Sequence, residues 1–304
     1  MKNPIGITLG DPAGIGPEII VKALTKISYR NLVLIGSRAV LNQQAGRLGI
    51  RLPPLLIYDT GAPGRFEYGQ VQKNCGIAAL QALECGVNLL KANRLAALVT
   101  APVSKAALRL AGFKYPGQTE LLAARLRARR YAMLAWSKKF KVIFVTIHLP
   151  LAQVPRQIKP GPVLEKIYLL NQFLIQEGNP APKIGVFALN PHADEFSRGE
   201  ENFIRQAIRQ ARQKGIIVNG PLPADSVFAC RTQFHGFVAM YHDQAMIPAK
   251  LLAKDAGVNV TLGLGKIRTS PLHGVAFDIA GQGKAAPDSM IAAIRLAKKL
   301  ARTI

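Results

Sequence analysis

The sequence predicts an α/β fold with a mostly parallel sheet. Two observations carry this: short apolar runs alternate with longer segments of helical period, and several polar clusters stand just after apolar runs, where ligands gather in parallel α/β sheets. Residues 5–9 read as the first strand; the GDPAGIGPE cluster at 10–18 then turns into a helix over 15–27, with Pro17 at an early helical position. Residues 32–35 read as a strand and 76–92 as a helix, where Cys75 and Cys85 read as core. A strand at 95–100 leads into TAPVSK at 100–105, whose Ser104 is a good N-cap for a helix over 105–111. A helix over 120–130 is followed by a strand at 142–147 that closes on Thr146-Ile147-His148. A helix over 162–176 precedes a strand at 184–189, and Asn190-Pro191-His192-Ala193-Asp194-Glu195 follows it. After a helix over 200–214 comes a strand at 236–240, closed by Tyr241-His242-Asp243-Gln244. A strand at 258–262 and a helix over 288–301 complete the pattern.

Composition bounds the class of protein. The chain is 304 residues long, enough for one large or two modest domains. It carries 40 Lys and Arg against 17 Asp and Glu, a formal charge of +23, yet 49% of it is hydrophobic. That apolar content excludes a disordered polycation. The charge invites nucleic acid, an anionic surface or an acidic small substrate. Residues 121–164 contain no acid, and Tyr131, Trp136 and Phe140 stand among their lysines and arginines, but no helix-turn-helix, RNP or zinc-finger motif appears. The expectation is therefore no specific nucleic-acid partner. Three cysteines without CxxC spacing argue against a disulfide framework, and no segment approaches the length of a spanning helix. A soluble cytoplasmic protein without a membrane partner is expected.

The glycine-rich loop at 10–18 is neither a dinucleotide fingerprint, lacking GxGxxG, nor a P-loop, lacking GK[ST]. On its residues alone it is as readily a tight strand-to-helix turn as a ligand loop. The histidines say more. Of the five, His148, His192 and His242 directly follow expected strands, at matching places in the rhythm. Neutral imidazoles suit Zn, Co, Ni or Fe(II), and three protein ligands with open positions mark a catalytic metal. Asp243 adjoins His242, and Asp194 and Glu195 follow His192, so carboxylates are at hand to orient the rings. Read one at a time, separated histidines are core or surface residues; the shared placement of three is what points to a metal. His235 matches no motif and reads as structural or exposed, and Trp136 reads as core.

Ten motifs in order resemble the 4-hydroxythreonine-4-phosphate dehydrogenase family of vitamin B6 biosynthesis: GDPAGIGPE, TAPVSK, GQTELLA, HLPL, NPHA, GPLPADSVF, YHDQ, VNVTLGL, IRTS and HGVAFDIAG. The resemblance implies a fold like that of the isocitrate and isopropylmalate dehydrogenases, with two α/β domains and the active site in the cleft between them. The domains expected are 1–125 with 270–304, on the cofactor-loop side, and 126–269, with the metal ligands and dimer contact. It implies a homodimer, NAD or NADP, and a divalent ion (Zn, Mg or Co) on His148, His192 and His242. Substrate contacts fall on Gln118, Thr119, Lys250, Asn259 and Arg268, cofactor contacts on His273, Gly274 and Asp278, and catalytic roles on Asp243, Asp225 and Lys250. The implied reaction oxidises the C3 alcohol of 4-phosphohydroxy-L-threonine and then decarboxylates the product to 3-amino-2-oxopropyl phosphate, a step in pyridoxal 5'-phosphate biosynthesis. Alternatives are a dehydrogenase of threonate or erythronate 4-phosphate and a non-catalytic member. Gln118 stands where the family commonly has His, Leu272 and Val275 where it usually has Asp and Thr, and the loop after NPHA is shortened to DEFSRGEE.

Overall fold

The computed structural model describes residues 3–254 and 256–303. They form two compact units, one from residues 3–131 with 256–302 and one from residues 132–254. The first unit begins β1 (Ile5–Thr8), α1 (Gly16–Lys26), β2 (Leu32–Ile35), α2 (Arg38–Leu48), β3 (Leu56–Tyr58), α3 (Lys73–Lys91), β4 (Ala97–Thr100), α4 (Lys105–Leu110) and α5 (Gln118–Leu126). The second unit holds β5 (Ala132–Trp136), β6 (Lys141–Phe144), α6 (Val154–Gln157), α7 (Pro160–Gln176), β7 (Lys183–Phe187), α8 (Glu200–Gln213), β8 (Ile217–Leu222), β9 (Gly236–Ala239) and α9 (His242–Ala253). The chain then returns to the first unit as β10 (Val258–Leu262), β11 (Ile267–Pro271) and α10 (Asp288–Leu300).

In the first unit β2 lies between β3 and β1, and β4 between β1 and β11, all in parallel pairs; β10 pairs antiparallel with β11. Strands β1, β2, β4 and β11 are buried throughout. Continuous burial is what a parallel sheet covered on both faces requires, and it explains why β1, β2 and β4 read as unbroken apolar runs. In the second unit β9 lies between β6 and β7 in parallel, β8 extends the parallel set, and β5 joins β6 antiparallel.

Strands β2 and β10 have the bounds expected from sequence, and the other expected strands and helices recur with ends shifted by a few residues. Four strands and three helices were not anticipated. β11 (IRTSP) is polar and lacks an apolar run, and β3 has only three residues. β8 (IVNGPL) contains Gly-Pro, ordinarily a turn signal, and β5 (AMLAW) sits within the basic stretch. α2 is capped by Ser37, whose Oγ accepts from the Val40 N–H, and stops at Gly49 in the left-handed region (φ 64°). α6 is a single turn, and α9 carries an interior Pro248 that argues locally against a helix.

Candidate active site

The first unit buries a cation. Arg268, on β11, is 3% exposed. Its Nε and Nη2 donate to Thr100 Oγ1 at 3.2 and 2.7 Å, and its Nη1 to Thr261 Oγ1 at 3.0 Å and Thr119 Oγ1 at 3.5 Å. The register explains the gathering. Thr261 of β10 is the cross-strand partner of Arg268, and Thr100 ends β4 on the other side. Burial lowers the guanidinium pKa to about 10, with Glu120 pulling the other way, so the group stays charged at neutral pH. Hydroxyls fix its orientation without cancelling its charge, and of its five N–H groups one on Nη2 is left unbonded.

Other expected substrate contacts belong to the same unit. Asn259 shares a face of β10 with Thr261, and its buried Oδ1 has no hydrogen-bond partner. Gln118 opens α5 and donates from Nε2 to the Ala101 carbonyl at 3.3 Å, leaving a buried Oε1 unpartnered. Such atoms are rare in a finished core and common where a ligand completes the bonding. Thr100 and Thr261 had no assigned role from sequence; the strand register is what brings them to Arg268.

The loop at 10–18 packs against the loop expected to hold cofactor. Ile15 N–H donates to the Val275 carbonyl at 3.0 Å, and a Cβ on Gly14 would lie 3.1 Å from Val275, a tight contact that glycine avoids. His273 Nδ1 lies 3.0 Å from the Gly274 carbonyl, and its buried Nε2 is unpartnered. Asp278 is exposed. Asp11, fully buried, accepts from Ala13 N–H at 2.9 Å and donates its own N–H to the Pro102 carbonyl at 3.0 Å; burial raises its carboxyl to about 6. It ties the first loop to TAPVSK, whose Ser104 caps α4 as expected. Cys75 is buried, its thiol pushed up to about 12 by burial, and is unreactive at neutral pH.

The second unit carries the histidines. His148, His192 and His242 follow β6, β7 and β9, three adjacent strands. The His148 and His242 ring centroids are 5.7 Å apart. His242 Nδ1 lies 2.7 Å from Asp243 Oδ1, the placement of a group that orients a metal ligand. His192 instead stands edge-on to Phe196, 3.5 Å from the Glu195 carboxylate. Among the described residues no group of three or more His, Cys, Asp and Glu side chains is arranged to hold a metal ion. Imidazoles are donors that suit a divalent ion, but of the three expected donors only His148 and His242 stand together, and His192 does not join them. Asp225 and Lys250 are exposed, the former just before a short 3-10 turn (Ser226–Gln233) and the latter on α9.

Glu201, which had no assigned role, is 0% exposed; it accepts from Leu189 N–H, Asn190 N–H and the Asn190 side chain. Burial would raise its pKa, but bonds from Ser197 and Asn190 prevail and hold it below the ordinary value. His235 is structural, its Nδ1 accepting from Lys183 N–H at 3.0 Å. Trp136 is half-buried rather than core, and its Nε1 donates to the buried Glu177 carboxylate at 2.7 Å.

The chain matches the family described as pyridoxal phosphate biosynthetic protein PdxA over residues 20–297. It belongs to the PdxA family. A relative from Sulfurihydrogenibium sp., named 4-hydroxythreonine-4-phosphate dehydrogenase, is 40% identical over 316 residues, covering 98% of each chain. Another relative, from Salmonella typhimurium and named D-threonate 4-phosphate dehydrogenase, is 42% identical over 323 residues with the same coverage. The crystal structure of 4-hydroxythreonine-4-phosphate dehydrogenase from Klebsiella pneumoniae superposes with a TM-score of 0.87 at 37% identity, covering 99% of this chain and 100% of that one.

Proposed function

We propose that this PdxA-family enzyme is a 4-hydroxythreonine-4-phosphate dehydrogenase: it oxidises the C3 alcohol of 4-phosphohydroxy-L-threonine with NAD or NADP, and the product loses carbon dioxide to give 3-amino-2-oxopropyl phosphate. The observation that carries the reading is Arg268, a buried cation held by three threonine hydroxyls and fit for a phosphate or carboxylate. Asn259, Thr119 and Gln118 supply neutral polar contacts around the substrate, and Lys250 a further ammonium for its phosphate or carboxylate.

His148, His192 and His242 would hold a divalent ion (Zn, Mg or Co), which supplies positive charge for the oxyanion character that develops on oxidation and decarboxylation. Being neutral, the imidazoles leave that charge undiminished. Asp243 orients His242 through Nδ1, and Asp243 or Asp225 takes the alcohol proton. His273, Gly274 and Asp278 contact the nicotinamide cofactor; the unpartnered His273 Nε2 supports this. A homodimer is part of the reading, supported by Ile247 (60% exposed) and Leu251 (73% exposed), one turn apart on α9. So is a cytoplasmic location, supported by three free cysteines; no helix among the described residues is long and apolar enough to cross a membrane.

One observation favours a second substrate. Relatives named for D-threonate 4-phosphate are as similar to this chain as those named for 4-hydroxythreonine 4-phosphate. The two compounds differ in the amine. Appearance of reduced nicotinamide with each compound separates the readings. Higher kcat/KM on 4-phosphohydroxy-L-threonine is expected. Higher kcat/KM on D-threonate 4-phosphate would reassign the substrate, and no turnover of either by metal-loaded protein would refute the dehydrogenase.

A further inference from the structure

We infer that the first unit carries a second anion site, a cleft of about 500 Å³ between the C-terminal ends of α1 and α10 that takes a short inorganic polyphosphate chain. Lys26, Arg30, Arg295, Lys298 and Arg302 line it, and no acidic or aromatic side chain stands among its described lining residues. None of these five cations is ion-paired with a described residue. The acids of the two helices, Glu18 and Asp288, lie in their first turns, at the far ends. The cleft is also remote from Arg268 along the sheet. The Arg268 guanidinium meets Thr100 at the end of β4, whereas Arg30 and Asn31 stand just before β2 begins, and β2 and β4 both run parallel to β1.

Cations at a helix C-terminus ordinarily complement the macrodipole, an effect confined to the last turn. That covers Lys26 and Lys298 but not Arg295, which precedes the last turn of α10, nor Arg30, which lies in the loop after α1. Arg295 and Lys298 share one face of α10 at a spacing of three, where like charges disfavour a helix. Lys298 gathers the cluster further: its Nζ donates to the Ser28 carbonyl at 2.6 Å and the Arg30 carbonyl at 3.3 Å, fastening the Arg30 loop to α10. Burial, and then repulsion from Arg302, hold the Lys298 ammonium below its ordinary pKa. The fold thus brings the cations together against their own repulsion, and a bound anion relieves it. One phosphate carries about two negative charges, so five cations suit a chain of several, and three of them offer the planar guanidinium fork. Without an aromatic lining nothing is present to stack on a base, so the phosphates alone are recognised.

Calorimetric titration of the full chain with sodium tripolyphosphate tests this, in about 0.15 M salt, where surface charges more than about 8 Å apart are screened. Wild type is expected to bind one tripolyphosphate per subunit. Arg30 and Arg302 are exposed, so the double variant Arg30→Gln with Arg302→Gln should fold, as circular dichroism will show, and bind at least about tenfold more weakly. Arg268→Leu should bind tripolyphosphate as wild type does. No binding to wild type at millimolar tripolyphosphate would overturn the site, as would a folded double variant that binds as tightly as wild type. Binding lost in Arg268→Leu and kept in the double variant would place the anion at Arg268 instead. Binding of a single-stranded oligonucleotide without binding of tripolyphosphate would make nucleic acid the partner and overturn the polyphosphate reading.

Discussion

Arg268 and His192 occupy opposite environments. Arg268 is 3% exposed, on a strand buried throughout, with its guanidinium fixed by three hydroxyls. The His192 side chain is 66% exposed, on a strained loop, near Phe196 and Glu195. Both are expected site residues, but they are prepared differently. The proposed anion site of the first unit has its cation fixed by the protein's own hydroxyls. The proposed metal ligands of the second unit include rings left open, the His192 and His242 side chains being 66% and 37% exposed. Preorganisation is complete in the side-chain bonds of Arg268 and absent from the exposed ring of His192.

Substituting the two residues sharpens this contrast. His192→Ala should have the largest effect, abolishing metal retention and turnover while thermal unfolding stays close to wild type, since an exposed side chain contributes little to stability. Unchanged turnover would refute the metal assignment. Arg268→Leu should lower kcat/KM for the phosphorylated substrate roughly a hundredfold or more, the scale of losing one partner of a buried charged contact. Arg268→Lys should recover only part of it, because an ammonium lacks the planar fork. A Leu variant with wild-type KM and kcat would remove Arg268 from the site.

The smallest expected effect is a pH dependence in the first unit. Asp11 has a native pKa raised to about 6 from 3.8. Its contribution to stability is therefore fully present below about pH 3.8 and is lost as pH rises through about 6. The loss amounts to about 3 kcal/mol at most, from roughly two pKa units at ~1.4 kcal/mol each. Asp11→Asn keeps an acceptor for Ala13 N–H and cannot ionise. Urea unfolding at pH 4 and pH 7.5 should show the variant gaining on wild type at the higher pH. Parallel profiles for the two proteins would contradict a buried, costly carboxylate.

Much of this contrast was legible in the sequence, unevenly. β1, β2 and β4 announce themselves because a doubly covered parallel strand has no polar face. β11 hid for the opposite reason: its Arg268, Thr269 and Ser270 are buried polar residues, and hydropathy reads them as loop. The motif resemblance pointed to Arg268 as a contact but not to Thr100 and Thr261 around it, because their meeting depends on strand register. The three histidines were legible as residues following strands. That β6, β9 and β7 are neighbours was not, since strand order is absent from local pattern. Glu201 lies in a helix whose amphipathic pattern gives no hint that one of its acids turns inward.

The central claim is that the histidine edge works through a divalent ion. Turnover of 4-phosphohydroxy-L-threonine, followed by reduced nicotinamide absorbance before and after exhaustive chelation, tests it directly. Activity should disappear on chelation and return when about one equivalent of Zn, Mg or Co per subunit is restored. Chelated, metal-free protein that turns over as fast as untreated protein would contradict it.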